Sequence, residues 1–123
     1  MKSLSFKTPV IFKICGSIST QTFNFSLSPY YEAGLIKSIS IKSYYDDLGS
    51  GSLNGKQFAK CDKSSEHQTC HNIAQYSTIK IDDLKTNNTL TLYSKDMNKS
   101  TPTCKTEDSD GTSAQAKIII EYN

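Results

Sequence analysis

Four carboxylates and an amide crowd one stretch late in the chain: Asp96, Asn98, Glu107, Asp108 and Asp110. Oxygen donors at this density suit a hard cation. Ca²⁺ takes six to eight oxygens from carboxylates, amides and carbonyls in a flexible geometry. Asp108-Ser109-Asp110-Gly111 resembles the opening of a calcium loop, but the later glutamate and flanking helices of an EF-hand are missing. Asp46 and Asp47 could add a carboxylate or a carbonyl. The competing account is a solvated acidic loop, with Asp and Gly present for turn chemistry. On residue types alone that account is the simpler one.

Other reactive residues form weaker patterns. His67, Cys70 and His71 are close, with Cys61 and Cys104 elsewhere, but their spacing fits no standard zinc finger. Cysteines, histidines and many serines are present without a nucleophile elbow or a nucleophile–base pairing pattern. The chain is therefore expected not to be an enzyme. Asn24-Phe25-Ser26, Asn87-Asn88-Thr89 and Asn98-Lys99-Ser100 are acceptor sequons for glycosylation. In a chain this rich in Ser and Thr they decide nothing.

The elements that must position the acidic stretch are strands. Thr89-Leu90-Thr91-Leu92-Tyr93-Ser94 alternates apolar and polar residues before it, and residues 114–122 alternate after it. The two strands are expected to be possible neighbours holding the loop between them. Residues 9–15 are apolar and β-branched. Residues 21–28 put Phe23, Phe25 and Leu27 on one face. Residues 35–45 put Leu35, Ile39, Ile41 and Tyr45 on one face, 56–60 are short, and 75–81 turn Ile79 and Ile81 inward. Residues 46–55, with three glycines, read as a loop, and 82–88 as a turn. No window shows a helical apolar stripe. About seven strands separated by turns predict an all-β domain over residues 1–123, an antiparallel sandwich or barrel.

Composition narrows the partners. Apolar residues are 36% of the 123, so the core is modest. All 14 basic residues are Lys and the net charge is +2. Without the guanidinium fork, and with the lysines scattered along the sequence, nucleic acid is not an expected partner. No stretch approaches the roughly 20 apolar residues of a membrane helix, so no membrane insertion is expected. Lys13 breaks the apolar run Val10-Ile11-Phe12, a poor signal-peptide core. The expectation is a mature form with an added Met, or export without a cleaved signal. Four cysteines, Cys15, Cys61, Cys70 and Cys104, favour at least one disulfide and a secreted or cell-surface protein. Three pairings are open: Cys61 with Cys70 would staple one loop, and Cys15 with Cys104 would tie the first strand to the acidic loop.

Together these stretches carry a more specific likeness. A long strand ends in Tyr45, a Gly-rich loop follows, and Glu66-His67-Gln68 precedes Cys70-His71. Then come Ile79-Lys80-Ile81, Leu90-Thr91-Leu92 leading to Asp96, and the acidic loop before the last strand. From residue 66 to 122 this resembles the small calcium-dependent galactophilic lectins of bacteria, which implies an all-β fold of one kind, an antiparallel jelly-roll-like β-sandwich. The resemblance implies Asp96 as a calcium carboxylate, with Asp108 and Asp110 where that family uses paired amides, and a backbone carbonyl from Tyr45. It implies His67 and Gln68 as sugar contacts and a galactose-like ligand held through calcium. The chain departs from the family in its longer acidic loop containing Cys104, in lacking the adjacent Asn pair, and in having no Trp. Bound Ca²⁺ can take two vicinal hydroxyls as ligands, and tyrosines would have to replace the stacking tryptophan. The competing function is a secreted or surface adhesion or effector domain whose Tyr-rich loops bind another protein without metal. Assembly into a homo-oligomer is open in both.

Overall fold

The described residues form nine strands: β1 (Lys2–Lys7), β2 (Ile11–Ile14), β3 (Ile18–Ser26), β4 (Ile36–Asp46), β5 (Leu48–Leu53), β6 (Lys56–Cys61), β7 (Gln75–Ile79), β8 (Asn87–Lys95) and β9 (Gly111–Tyr122). A 3-10 turn, Ile81–Asp83, separates β7 from β8. A computed structural model describes residues 2–9, 11–14, 18–28, 34–46, 48–61, 70, 74–95 and 111–123, with the backbone alone for 11–14 and 111–113. The strands form two antiparallel sheets, β1-β9-β4-β7 and β3-β8-β5-β6, with β2 also on β9. This is the expected all-β sandwich. β1 lies against residues 117–122 and β2 against 111–114, so both occupy one edge of β9. Pro9, which has no N–H for a ladder, falls in the break between them.

Period-two alternation makes the core. β9 turns Ala114, Ala116, Ile118 and Ile120 inward, and β8 turns Leu90 and Leu92 inward. β4 supplies Ile39, Ile41 and Tyr45, and Leu27 closes one end. Burying one such large aliphatic side chain is worth about 1.5–3 kcal/mol. At the two open sides, the Phe6 and Phe25 rings meet edge-on at 5.1 Å, and the Ser77 hydroxyl donates to the Phe58 carbonyl at 2.8 Å. The first contact joins β1 to β3 and the second joins β7 to β6.

Four local expectations are corrected. The glycine-rich stretch assigned to a loop contains β5, a strand with neighbours on both sides. Leu35 is 37% exposed and Ile36 is buried in its place. A register shift between Ile36 and Ser38 reverses which face points inward. Ile81 is 44% exposed, because β7 stops at Ile79 and the chain enters the 3-10 turn. Finally, β8 and β9 are not ladder partners. β8 pairs with β3 and β5, and β9 with β1, β2 and β4, so residues 96–110 connect one sheet to the other.

Candidate functional site

The register places several strand ends together. Ile14 pairs with Gly111, Asp46 with Ser113, and both Leu48 and Ile18 with Lys95. Cys61 pairs with Gly49, one position further in. The connections carrying the sequence-derived site therefore leave and re-enter the fold at one end of the sandwich. Asp96, Asp108, Asp110, His67 and Gln68 themselves lie outside the described residues, as do Cys15 and Cys104. Cys61 and Cys70 form a disulfide with Cα atoms 6.1 Å apart, closing the connection that holds His67 and Gln68. Among the described residues, no three of His, Cys, Asp and Glu gather as metal ligands.

Tyr45 is the one implied calcium ligand within the described fold. It stands one residue before the end of β4, and its side chain is 1% exposed. Only its main-chain carbonyl is left for a ligand role. The ring crosses the core onto β5. A Cβ at Gly49 would fall on the Tyr45 ring and the Tyr93 carbonyl, and one at Gly51 would lie 2.6 Å from the Tyr45 hydroxyl and against the Phe58 ring. These glycines are in a strand because aromatic rings fill the space of their side chains. Burial pushes the Tyr45 phenol up to about 12. The hydroxyls of Tyr45, Ser43 and Ser94 are buried with no hydrogen-bond partner among the described residues.

A second constellation, absent from the sequence reading, lies on the outer face of the β1-β9-β4-β7 sheet. Tyr76 on β7 is 74% exposed. The register sets it opposite Lys42 on β4, two residues from Tyr44 on the same face. The Lys42 ammonium is 5.3 Å from the Tyr76 ring centroid and 5.5 Å from that of Tyr44. Hydrogen bonding to the Tyr44 hydroxyl first, then to that of Tyr76, raises the Lys42 pKa. The same row continues through Lys117 on β9 to Lys7 on β1. The next row is Ser5, Ile119, Ser40 and Thr78. No local pattern reveals this face, because residues 7, 42, 76 and 117 meet only through strand register. The tyrosine pair borders the end of the sandwich where the acidic connection is anchored, since Asp46 follows Tyr44 by two residues on the same strand.

No protein-family model matches the chain, and no curated protein matches it either. Among solved structures, it is similar to BuGH86 in a variant form in complex with neoagarooctaose, at 16% identity and a TM-score of 0.43, covering 98% of this chain and 19% of that one. It is similar also to wild-type BuGH86 in complex with neoagarooctaose, at 15% identity and a TM-score of 0.41, covering 98% and 19%. The chain thus spans about a fifth of the length of these structures. A likeness of this size assigns neither a site nor a ligand.

Proposed function

We propose that this chain is a carbohydrate-binding domain rather than an enzyme, and that the outer face of the β1-β9-β4-β7 sheet takes part in holding the sugar. The exposed Tyr76 ring, braced by Lys42 beside Tyr44, carries the reading. Saccharides present C–H faces that pack on aromatic rings and hydroxyls that need convergent polar groups. Tyr76 and Tyr44 offer the first, while Lys42, Ser40 and Thr78 on the same face offer the second. Tyrosines here take the stacking role for which the chain has no Trp.

The finer form of the proposal follows the lectin resemblance. Calcium is held by Asp96, Asp108, Asp110 and the Tyr45 carbonyl, and His67 and Gln68 contact a galactose-like sugar. The shared anchoring end of their connections and the adjacent tyrosines support one composite site. The disulfide supports an oxidising, secreted or surface setting. Titration against a panel of neutral glycans, in millimolar Ca²⁺ and in chelator, tests both levels. Tyr76→Ala is expected to lower glycan affinity about tenfold, a usual size for losing one well-placed aromatic contact. Chelator is expected to abolish galactose binding and lower Tm. Glycan binding that survives chelation would remove calcium and keep the carbohydrate reading. A panel without any glycan hit would pass the exposed tyrosines to the protein-binding alternative.

A further inference from the structure

The proposed sugar face carries a charge pattern that a neutral ligand leaves unexplained. Lys7 stands directly opposite Lys117, and Lys117 directly opposite Lys42. Directly paired residues on neighbouring antiparallel strands have Cα atoms about 4.5–5.5 Å apart, and like charges so placed are destabilising. Among the described residues the row holds no carboxylate, and the charge is favoured at the Lys42 end alone, by Tyr44 and Tyr76. The carboxylates at Asp46 and Glu121 belong to the same two strands, four residues from Lys42 and Lys117, or about 13 Å along a strand. The Glu121 carboxylate accepts a hydrogen bond from Ser38 instead. The Lys56–Asp83 ion pair, at 3.1 Å, lies elsewhere and joins β6 to the 3-10 turn.

We infer that the saccharide taken by this face is anionic, bearing carboxylate or sulfate groups that meet the Lys7–Lys117–Lys42 row while sugar rings pack on Tyr76 and Tyr44. The inference rests on reading the face as a glycan platform. Three ammonium groups on adjacent strands raise the local positive potential, and an anionic ligand converts their mutual repulsion into attraction. The row crosses three strands, about 10 Å, at right angles to their direction. A glycan chain laid across the strands would meet Lys7, Lys117 and Lys42 in turn and then reach the tyrosines. The raised Lys42 pKa keeps that end of the row charged through the neutral range. Ammonium groups act as compact point charges, which suits single sulfate or carboxylate groups. A nucleic-acid strand would also stack on tyrosine, but the chain has no Arg for bidentate phosphate contacts, and its lysine row is short. An anionic glycan is therefore the ligand class chosen.

The test uses the full chain with its disulfide intact. Binding is measured to dextran, dextran sulfate, polygalacturonate and oligo-thymidylate at low and high salt. The expected result is at least about tenfold tighter binding to dextran sulfate or to polygalacturonate than to dextran, lost at high salt. Which polymer binds decides between sulfate and carboxylate. Lys117→Gln and Lys7→Gln, both outward-facing and expected to melt like the parent, should each weaken the anionic polymer about three- to tenfold and leave neutral-glycan binding unchanged. Equal binding of dextran and dextran sulfate overturns the inference. So does anionic binding that neither lysine variant weakens, and so does tighter binding of oligo-thymidylate than of both anionic glycans. The underlying platform reading fails separately: lysine-dependent binding that is indifferent to Tyr76→Ala keeps the charged row and removes the tyrosine platform.

Discussion

Tyr45 concentrates much of this protein's physical chemistry in one side chain. Its ring joins the two sheets by filling the space above Gly49, while its hydroxyl is buried without a partner among the described residues. Removing a buried, unsatisfied polar atom is neutral or stabilising, whereas removing the ring opens a cavity. Tyr45→Phe should therefore leave the urea midpoint at pH 7 unchanged or slightly higher, and Tyr45→Ala should cost about 3–5 kcal/mol. The raised pKa adds a pH signature. With a folded pKa of about 12 against an ordinary 10, the unfolded chain loses the phenol proton first as pH rises. The contribution is complete below pH 10 and disappears as the pH passes through 12, for a total of about 3 kcal/mol. Denaturation at pH 8 and at pH 11.5 should show a smaller alkaline loss in Tyr45→Phe than in the parent. Equal losses would mean that the phenol is not the group responsible. Sequence alternation placed Tyr45 on the inward face of its strand. It gave no sign that the ring would land on glycines four and six residues later.

At the level of elements, β5 shows how residue type can mislead. Gly49, Ser50, Gly51, Asn54 and Gly55 carry strong loop signals, and only the last two make the turn. Asn54 has φ 53° and Gly55 φ 85°, joining β5 to β6 through a two-residue hairpin. The Asn54 side chain donates to the Asp83 carbonyl at 3.0 Å and to Asn88 Oδ1 at 2.9 Å, and accepts from the Thr89 N–H at 2.9 Å. Those three bonds hold it in a conformation that costs most residues energy. Gly49 and Gly51 are instead strand residues under aromatic rings, so alanine should hurt at both, but unequally. At Gly49 the new methyl meets the Tyr93 main chain and the root of the Tyr45 ring, which cannot easily move. At Gly51 it meets the tips of Tyr45 and Phe58, which can give. Gly49→Ala should lose about 3 kcal/mol or more and Gly51→Ala about 1–2 kcal/mol by chemical denaturation. The reverse order would refute this packing. The remaining strands were legible where alternation was clean, as in 89–94 and 114–122. Legibility failed where a bulge exchanged Leu35 for Ile36, and where β7 ended before Ile81.

For the whole molecule, an antiparallel all-β architecture, sandwich or barrel, followed from strand count and turn spacing, but sheet membership did not. Pairing is set by packing between distant segments, so β8 and β9, consecutive strands, are divided between the sheets. The same long-range pairing created the lysine row from residues that look scattered in sequence. The Cys61–Cys70 bridge was one of three pairings open in the sequence, and cross-links of this kind typically add about 2–4 kcal/mol. Peptide mapping without reductant should recover Cys61 and Cys70 in one cross-linked fragment. A Cys61→Ala/Cys70→Ala double variant should unfold at lower denaturant concentration, with a smaller loss if the bridge also strains the native fold. Recovery of both thiols in alkylated form from unreduced protein would rule the bridge out.

The position of β9 has a consequence for how this chain is made. It lies between β1 or β2 on one side and β4 on the other, yet it comes after all of them in sequence. During synthesis the β3-β8-β5-β6 sheet has all its strands once residue 95 has left the ribosome, whereas β1 and β2 have no ladder partner, and β4 has only β7, until residues 111–122 follow. Until then the apolar face of β4 and its unpaired edge are open to other chains. Non-local pairing of this kind is slow to form. The nascent chain therefore passes through a half-built stage in which one sheet is covered by only the β4–β7 pair, and β9 then completes both the lysine row and the core.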